Sequence, residues 1–262
     1  MRKYMNILYG FFKASAIADL EYRLNIVMKV VTDIIWYLAQ VSVFEVIFRN
    51  VDQVGGWNLH SARVFIAALF VVDSIWMLLF SENLDRLSDK VRRGELDLLL
   101  SKPVNSQFMM SFQRLSTPYL INILITIGYL NWAFFSLPEP PSGWRLLMLI
   151  VLVPCSLMIT YGMRFFFSAA ALIFARAENI NYIWWQFYRL GMRPDALYPP
   201  WLRYIVLTVI PVGFLASVPA RLILGSNEWG FIVAAIGLGA FMVWVSTRFW
   251  AFALKRYSSA SS

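Results

Sequence analysis

Thiols, imidazoles and charges are scarce in this sequence, and each scarcity narrows the possible functions. The single cysteine, Cys155, excludes a disulfide within the chain. The single histidine, His60, argues against a histidine-based metal site and against a Ser-His-Asp triad. No G-x-x-x-x-G-K-[ST] pattern occurs, so we expect no P-loop nucleotide site. We therefore expect that the chain is not itself an enzyme and holds no metal or cofactor.

The low charge content indicates the class of protein. Charged residues make up 15% of the chain, whereas a soluble globular protein has about 25%. In their place, 60% of the residues are hydrophobic and 17% are aromatic, and the mean hydropathy is +0.62. Aromatic residues at this frequency suit helices anchored at the membrane interfaces. The composition predicts an all-α integral membrane protein.

Six hydrophobic runs can cross a bilayer, which needs about 20 residues per helix. We predict a single domain over 1–262 with six transmembrane helices, at about 24–48, 62–80, 115–135, 144–174, 201–218 and 229–254. Before them, residues 4–20 predict an amphipathic helix that lies in the membrane interface. A signal peptide is a weaker interpretation of this stretch, because Lys13 interrupts its short apolar core.

The basic residues between these runs set the orientation. If the N-terminus is cytosolic, most lysines and arginines fall on the cytosolic side, as the positive-inside rule requires. The cytosolic set is Arg2, Lys3, Lys13, Arg23, Lys29, Arg86, Lys90, Arg92, Arg93, Lys102, Arg176, Arg189, Arg193, Arg203, Arg248, Lys255 and Arg256, and the outer set is Arg49, Arg63, Arg145 and Arg221. The net charge of +8 is thereby assigned to the membrane surface, and no nucleic-acid partner is expected.

The loop between the second and third runs has the pattern of a short helix. Gly94 breaks the preceding helix and Pro103 stops the next one, which predicts a helix over 95–101. The helix dipole favours the charges at its two ends, which are Glu95, Asp97 and Lys102.

The leucines of this short helix form one apolar face, because Leu96, Leu99 and Leu100 recur at i, i+3 and i+4. Such a face at a membrane surface needs something to cover it. Two interpretations are open: the helix lies on lipid headgroups, or it docks into a cleft of a soluble partner protein.

Asp33, Asp73 and Arg164 fall inside apolar runs. A charge near the bilayer centre costs about 2.5–3.5 kcal/mol on insertion scales, so we expect these residues to face a bundle interior, a partner subunit or water. An Asp73–Arg164 ion pair is one interpretation. A role in lining a substrate pathway is the other, and the two are compatible.

Two further stretches differ from a simple span. Residues 178–191 are rich in aromatics and predict a cytosolic interfacial helix, whose simplest role is anchoring to headgroups. Pro211, Gly213 and Pro219 interrupt the apolar run before the last span. Because irregular backbone at that depth must be covered by protein or water, they predict a re-entrant element at the outer mouth of a pathway.

This layout resembles the permease subunits of type-2 ABC transporters, the ABC-2 export family, and in particular a compact six-span bacterial branch. The resemblance covers essentially the whole chain. Its more specific motif is RRGELDLLLSKPVNSQF at 92–108, which is similar to the branch signature R-x-G-x-L-D-x-x-L-x-K-P. A supporting motif is Tyr198-Pro199-Pro200-Trp201-Leu202-Arg203, followed by Ile210-Pro211 and Val218-Pro219-Ala220.

The resemblance implies that 95–101 is a coupling helix. It would insert into a groove of a separate ABC ATP-binding subunit, which would hold the ATP and Mg. The docking residues would be Arg92, Arg93, Gly94, Glu95, Leu96, Asp97, Leu99, Leu100, Lys102 and Pro103. The resemblance also implies a dimer with a second permease subunit, identical or paralogous, in the bacterial cytoplasmic (inner) membrane with both termini cytosolic.

The function implied is ATP-driven export, and the apolar and aromatic spans suit an amphiphilic, cationic or lipid-like cargo. Two alternatives remain open. The first is an ion-coupled secondary transporter that uses Asp33 and Asp73, and the second is a membrane scaffold subunit that transports nothing.

Overall fold

The structure, a computed structural model, describes residues 2–139, 141–170, 172–173, 178–226 and 229–257. Helices joined by short connections make up this part of the chain. They are α1 (Arg2–Glu21), α2 (Arg23–Asn50), α3 (Leu59–Trp76), α4 (Glu82–Leu84), α5 (Leu87–Arg92), α6 (Glu95–Leu100), α7 (Ser106–Phe112), α8 (Tyr119–Phe135), α9 (Gly143–Ala170), α10 (Glu178–Gly191), α11 (Pro200–Thr208), α12 (Ser217–Ile223) and α13 (Gly230–Arg256).

Three short segments of other helix types link these elements. A π-helical segment, Met77–Ser81, continues α3 into α4. Two 3-10 turns, Asp195–Leu197 and Val212–Phe214, precede α11 and α12.

The helices α2, α3, α8, α9 and α13 form a bundle, and we call its end formed by 82–117 the near end. The indole nitrogen of Trp250, near the end of α13, donates a 2.9 Å hydrogen bond to Ser106 there. The ammonium of Lys3 in α1 donates a 3.0 Å hydrogen bond to the carbonyl of Pro103. The first helix and the last turns of α13 therefore lie at the same end of the bundle.

The opposite end, which we call the far end, comprises 51–58 and 195–226. Gly55 lies so close to Ala196 that a Cβ on Gly55 would stand 2.8 Å from the Ala196 carbonyl oxygen. The connection between α2 and α3 thus meets the segment that follows α10.

The central helix of the bundle is α3, which is apolar and buried over most of its length. A helix that is apolar on all sides requires such a position. Ser74 of α3 and Thr126 of α8 approach to 3.1 Å between hydroxyl oxygens. In the π-helical continuation of α3, the carbonyl of Leu78 accepts a 3.0 Å hydrogen bond from the amide of Ser116. The wider turn is therefore tied to the segment that leads into α8.

The close packing of α9 against α13 depends on Gly162. A Cβ at this position would stand 2.5 Å from the carbonyl carbon of Met242, a distance that no side chain can occupy. Because glycine has no side chain, the two backbones can touch here. Phe166 and Phe249 continue the contact toward the near end, with ring centroids 4.2 Å apart.

Four stretches of the described residues are long and apolar enough to cross a membrane, and α8 is a shorter apolar helix. The four stretches are Arg23–Asn50, Leu59–Val91, Gly143–Ala170 and Gly230–Arg256. The first, second, third, fourth and sixth predicted runs agree to within a few residues with α2, with α3 and its π-helical continuation, and with α8, α9 and α13. The predicted end of the fourth run, residue 174, lies outside the described residues. The helix predicted over 4–20 corresponds to α1, and the one over 95–101 corresponds to α6.

The prediction of one continuous fifth span over 201–218 is wrong. Here α11 ends at Thr208 and α12 begins at Ser217, with a 3-10 turn between them. Pro211 accounts for the break, because proline lacks an amide hydrogen and its ring clashes with the preceding helical turn.

The helix predicted to lie in the cytosolic interface, α10, belongs to the bundle instead. Near its start, Asn181 accepts a 2.8 Å hydrogen bond from Arg164 of α9. Further along, Tyr188 donates a 2.7 Å hydrogen bond to Asp73 of α3. The chain then reaches the far end, so α10 runs from one end of the bundle to the other. Trp184 and Tyr188 pack into the bundle, whereas Tyr182 and Trp185 remain exposed.

Candidate functional site

The start of α6 is fixed by the backbone conformation of Gly94. Its φ of 72° lies in the left-handed region, which glycine adopts without steric cost. Glu95 and Asp97 lie in the first turn of α6, where the helix dipole stabilises negative charge. The helix ends at Leu100, one residue before the predicted end.

The leucine face of α6 packs against the chain itself. Leu96 is fully buried and Leu99 is 6% exposed. They join a cluster drawn from several elements of the near end and from α9 and α13, which includes Phe80, Leu84, Leu87, Met110, Phe165 and Trp250. Leu96 and Leu99 are therefore covered by the chain itself, and Leu100 is only partly exposed. The spacing predicted an apolar face correctly but did not show what covers it.

The outward side of α6 carries one large apolar side chain among charges. Leu98 is 72% exposed, and Arg93, Glu95, Lys102 and Pro103 around it are also exposed. We call these five residues the outer surface of α6. An adjoining cavity of about 560 Å³ is lined by both signs of charge, from Glu82, Arg86, Lys90, Glu95, Lys102 and Arg114.

The segment that follows α6 is held by α1. Besides the hydrogen bond from Lys3 to Pro103, the rings of Tyr4 and Phe108 pack edge to face with centroids 4.9 Å apart. The hydroxyl of Ser15 accepts a 3.0 Å hydrogen bond from a backbone amide just before α8. These contacts fix α1 along the near end.

A series of ion pairs joins α1, α2 and α4 to the segment before α8. Asp19 of α1 is almost fully buried, pairs with Arg114, and accepts hydrogen bonds from the amide and hydroxyl of Thr117 at 3.0 and 2.6 Å. Arg114 also lies 3.4 Å from Glu82, which pairs with Lys29 of α2 at 2.6 Å. Movement of the near end is thereby linked to α1 and α2.

Arg164 does not pair with Asp73, so the predicted ion pair is wrong. The guanidinium is fully buried and donates to Asp85 at 2.7 Å, to Asn181 at 2.8 Å and to the carbonyl of Leu84 at 3.2 Å. Asp73 lies 12 residues before Asp85 in the sequence, which corresponds to about three helical turns. Arg164 therefore lies at the level of the near end, whereas Asp73 lies deeper in the bundle.

The two intramembrane aspartates have neutral partners. Asp73 accepts a hydrogen bond from Tyr188, and Asp33 accepts a 2.6 Å hydrogen bond from the side-chain amide of Asn122. Both carboxylates are therefore held in fixed positions without a guanidinium or ammonium in direct contact among the described residues.

A cavity of about 900 Å³, which we call the large cavity, lies between α2, α3 and α10. Asp33 and Asp73 both line it, whereas Arg164 does not. Much of the remaining wall is apolar or aromatic, and Arg189 and Arg193 add two basic groups. The cavity offers carboxylates, aromatic rings and apolar surface to one ligand.

The broken element before the last helix is present and buried. Pro211, Gly213 and Pro219 all lie in the buried part of the far end. The carbonyl of Phe214 accepts a 2.6 Å hydrogen bond from the hydroxyl of Ser156 in α9. The irregular backbone is thus covered by protein, as its composition requires in a membrane.

The family model described as "ABC-2 family transporter protein" matches residues 34–261, which is most of the chain. The chain belongs to the ABC-2 transporter family. This membership confirms the resemblance drawn from the motif at 92–108. No curated protein and no solved structure gives a match. As an ABC-2 family member, the chain is a multi-pass membrane protein and a permease component of an ABC transporter, a class that acts with ABC ATP-binding subunits.

Several polar partners in this ABC-2 permease were not predicted. Tyr188, Asp85, Asn122 and Asn181 hold the buried charges, and none was singled out in the sequence. One signal for Tyr188 was present, because it lies four residues after Trp184 and shares a helix face with it. An aromatic face of this kind is equally typical of a helix buried in a bundle and of a helix anchored at the headgroups.

Proposed function

We propose that this ABC-2 permease is the membrane-spanning subunit of an ATP-driven exporter and that a dimer with a second permease forms the pathway. The observation that carries the proposal is the division of α6 into two faces. Leu98 projects outward among charges, while Leu96 and Leu99 are fixed in the core of the near end. A force applied to the outer surface of α6 is therefore transmitted to the bundle.

The partner at this surface would be an ABC ATP-binding subunit with a groove that covers Leu98. Burial of apolar surface contributes about 25 cal/mol per Å² to such docking. Glu95, Arg93 and Lys102 would set the register, because exposed charges contribute to specificity more than to affinity. ATP and Mg would be bound on that subunit, and this chain would remain without enzymatic activity.

Apolar contacts support transmission from α6 to the spanning helices, because the cluster around Leu96 and Leu99 includes Phe165 of α9 and Trp250 of α13. Elsewhere at the near end, the ion pairs that begin at Asp19 link α1 and α4 to Lys29 of α2. Closure of the ATP-binding subunits would thus shift several spanning helices together, and alternate access to the pathway would follow.

The large cavity would be one half of the pathway, and a second permease would close it. Its wall includes α2, whose buried residues are limited to Tyr37 and Phe44 among those described, so most of its apolar surface is available to lipid or to a partner. Asp33 and Asp73 beside aromatic rings suit a cationic amphiphile, because a desolvated cation is stabilised by both groups. The two carboxylates and the aromatic rings support this cargo class, although Arg189 and Arg193 also line the cavity.

The near end would face the cytosol of a bacterial cell, with α10 as the fifth of six crossings. Both α1 and the last turns of α13 lie at this end, so both termini would be cytosolic in this orientation. The course of α10 moves Arg193 and Arg203 to the far end, yet the near end keeps the larger share of basic residues. The positive-inside rule therefore supports the same orientation.

A pull-down in mild detergent tests the proposal. We expect a P-loop ATPase and a second permease chain to co-purify with the tagged protein, and a photo-crosslinker at Leu98 to capture the ATPase. The matched control is a crosslinker at Leu20 of α1, which is 60% exposed and lies outside the outer surface of α6. Capture of lipid alone at Leu98, with no ATPase in the purified complex, would contradict the proposal.

An ion-coupled carrier is the second candidate, because the structure brings Asp33 and Asp73 to the same cavity. The two functions differ in their energy source. Transport that continues without any ATPase, and that stops when the ion gradient collapses, would favour the carrier. Asp33→Asn and Asp73→Asn would then abolish transport, whereas in an ATP-driven exporter they would mainly change cargo affinity. A scaffold would show neither kind of transport.

A further inference from the structure

A smaller cavity of about 530 Å³ lies at the far end, on the other side of a 3-10 turn from the large cavity. Leu197 of this turn lines the large cavity, while its neighbour Ala196 lines the smaller one. We call the smaller space the far-end cavity. Its polar wall consists of Asn58, His60, Ser61, Arg203, Arg221 and Ser226.

The wall of the far-end cavity is basic. The lining among the described residues includes two guanidinium groups, from Arg203 and Arg221, and no carboxylate. Behind the wall, the nearly buried Asp195 lies 2.8 Å from Arg203 and 3.4 Å from Arg221, and both guanidiniums address the same oxygen, Oδ2. This shared carboxylate holds the two guanidiniums side by side at the edge of the cavity.

The start of α3 adds positive potential to the same wall. Asn58 caps the helix by accepting a 2.9 Å hydrogen bond from the amide of Ser61, and both residues line the cavity. The positive end of a helix dipole therefore points toward the space between α3, α11 and α12. Anions bind readily at helix starts in this way, and the paired arginines make the site more specific than a helix end alone.

Buried polar atoms without a hydrogen-bond partner among the described residues include two in the wall. They are Nδ1 of His60, in the first turn of α3, and Oγ of Ser226, which follows α12. An unsatisfied buried polar atom is unfavourable in a native structure, so these two atoms indicate a ligand with several hydrogen-bonding oxygens. The volume also lies within the range of about 300–1,000 Å³ that is usual for ligand pockets.

We propose that the far-end cavity binds a phosphate group. Two guanidiniums, a helix start, a hydroxyl and an imidazole match the oxygens of a phosphate in charge and in hydrogen-bonding capacity. Both a phospholipid headgroup and free inorganic phosphate present this group, and the cavity can hold either. The bound phosphate connects α3, α11 and α12, so it stabilises the broken element at the far end. This inference does not depend on the exporter function.

Isothermal titration of the full-length protein in a non-ionic detergent tests this site. One arm titrates inorganic phosphate, the other titrates phosphatidylglycerol in mixed micelles, and sodium chloride serves as the baseline. The main variant is the double substitution Asp195→Asn with Arg203→Met, which removes both members of the Asp195–Arg203 ion pair. Because both charges are removed, no buried carboxylate is left without a partner. A second variant, His60→Ala, disturbs no ion pair. The control is Lys13→Gln, an exposed basic residue of α1.

We expect phosphate binding to weaken at least about tenfold in the double variant and by a smaller factor in His60→Ala, because charged hydrogen bonds are lost. Lys13→Gln should bind as the wild type does. Binding in both arms assigns the site to the phosphate group itself, and binding in the lipid arm alone assigns it to a headgroup. No binding above the chloride baseline in either arm, or equal binding by the wild type and both far-end variants, would overturn the proposal.

Discussion

The phenol of Tyr188 donates a 2.7 Å hydrogen bond to the carboxylate of Asp73, and both side chains are almost completely buried between α10 and α3. This contact shows that one face of α10 packs into the bundle. One carboxylate of the large cavity thus depends on the hydroxyl of Tyr188, and a substitution can test that dependence.

Tyr188→Phe should destabilise the protein by about 1.5–3 kcal/mol, because a hydrogen bond to a charged group is lost while the ring remains. Thermal unfolding in detergent measures the effect, and Tyr204→Phe is the control because Tyr204 is exposed. In a double-mutant cycle, Asp73→Asn should reduce the cost of Tyr188→Phe. Equal effects of the two tyrosine substitutions would contradict the importance of this contact.

Leu98→Asp should leave the fold intact and abolish binding of the ATP-binding subunit, since Leu98 is exposed at the centre of the outer surface of α6. Size-exclusion chromatography and co-purification measure the two properties. Leu98→Met is the control, because it keeps the apolar area, and it should bind normally. Undiminished co-purification of Leu98→Asp would place the docking surface elsewhere.

Leu99→Asp should behave differently from Leu98→Asp although the two positions are adjacent. Leu99 lies in the cluster with Leu84 and Leu96, and burial of an unpaired carboxylate there is strongly unfavourable. We expect loss of folded, monodisperse protein on size-exclusion chromatography. A well-folded Leu99→Asp protein that fails only to bind its ATPase would show that this face docks the partner after all.

Arg164→Met should destabilise the protein by about 2–3 kcal/mol, measured by unfolding in detergent. The substitution removes the hydrogen bonds that Arg164 donates to the carbonyl of Leu84, to Asn181 and to Asp85. The cost stays moderate because Asp85 is partly exposed and can be hydrated. Arg248→Met, at an exposed position of α13, should cost less than 1 kcal/mol by the usual worth of exposed charges, about 0–1 kcal/mol.

Gly162→Ala should force α9 and α13 apart and destabilise the protein by about 1–3 kcal/mol or more, the usual cost of overpacking. Gly237 is the matched control, because it lies in α13 with no atom within 4 Å of an added Cβ. Gly237→Ala should stabilise the helix by about 0.5–1 kcal/mol. The difference between the two variants in thermal unfolding measures the contact, and equal midpoints would argue against it.

The parts of the fold that the sequence predicted well depend on local chemistry. Gly94 and the acidic residues after it specify where α6 begins, and this can be recognised without knowledge of any other helix. The long apolar runs likewise predict α2, α3, α9 and α13, because each is long enough to cross a bilayer on its own.

The parts that the sequence did not predict depend on which elements meet. The periodicity of Leu96 and Leu99 shows an apolar face but not its partner, which is supplied by residues of α9 and α13 far along the chain. In the same way, the charge of Arg164 was evident, whereas the choice between Asp73 and Asp85 depends on helix register. At 178–191, aromatic content alone could not distinguish an interior helix from an interfacial one.

The π-helical segment Met77–Ser81 has a mechanical consequence for such a protein. A π turn holds more residues than an α turn, so a return to α-helical hydrogen bonding would advance the following chain by about one residue, or roughly 1.5 Å and 100° of rotation. Leu84, a few residues later, lies in the same buried cluster as Leu96 and Leu99 of α6. A force applied at the near end would then translate and rotate the chain that follows α3 at the same time.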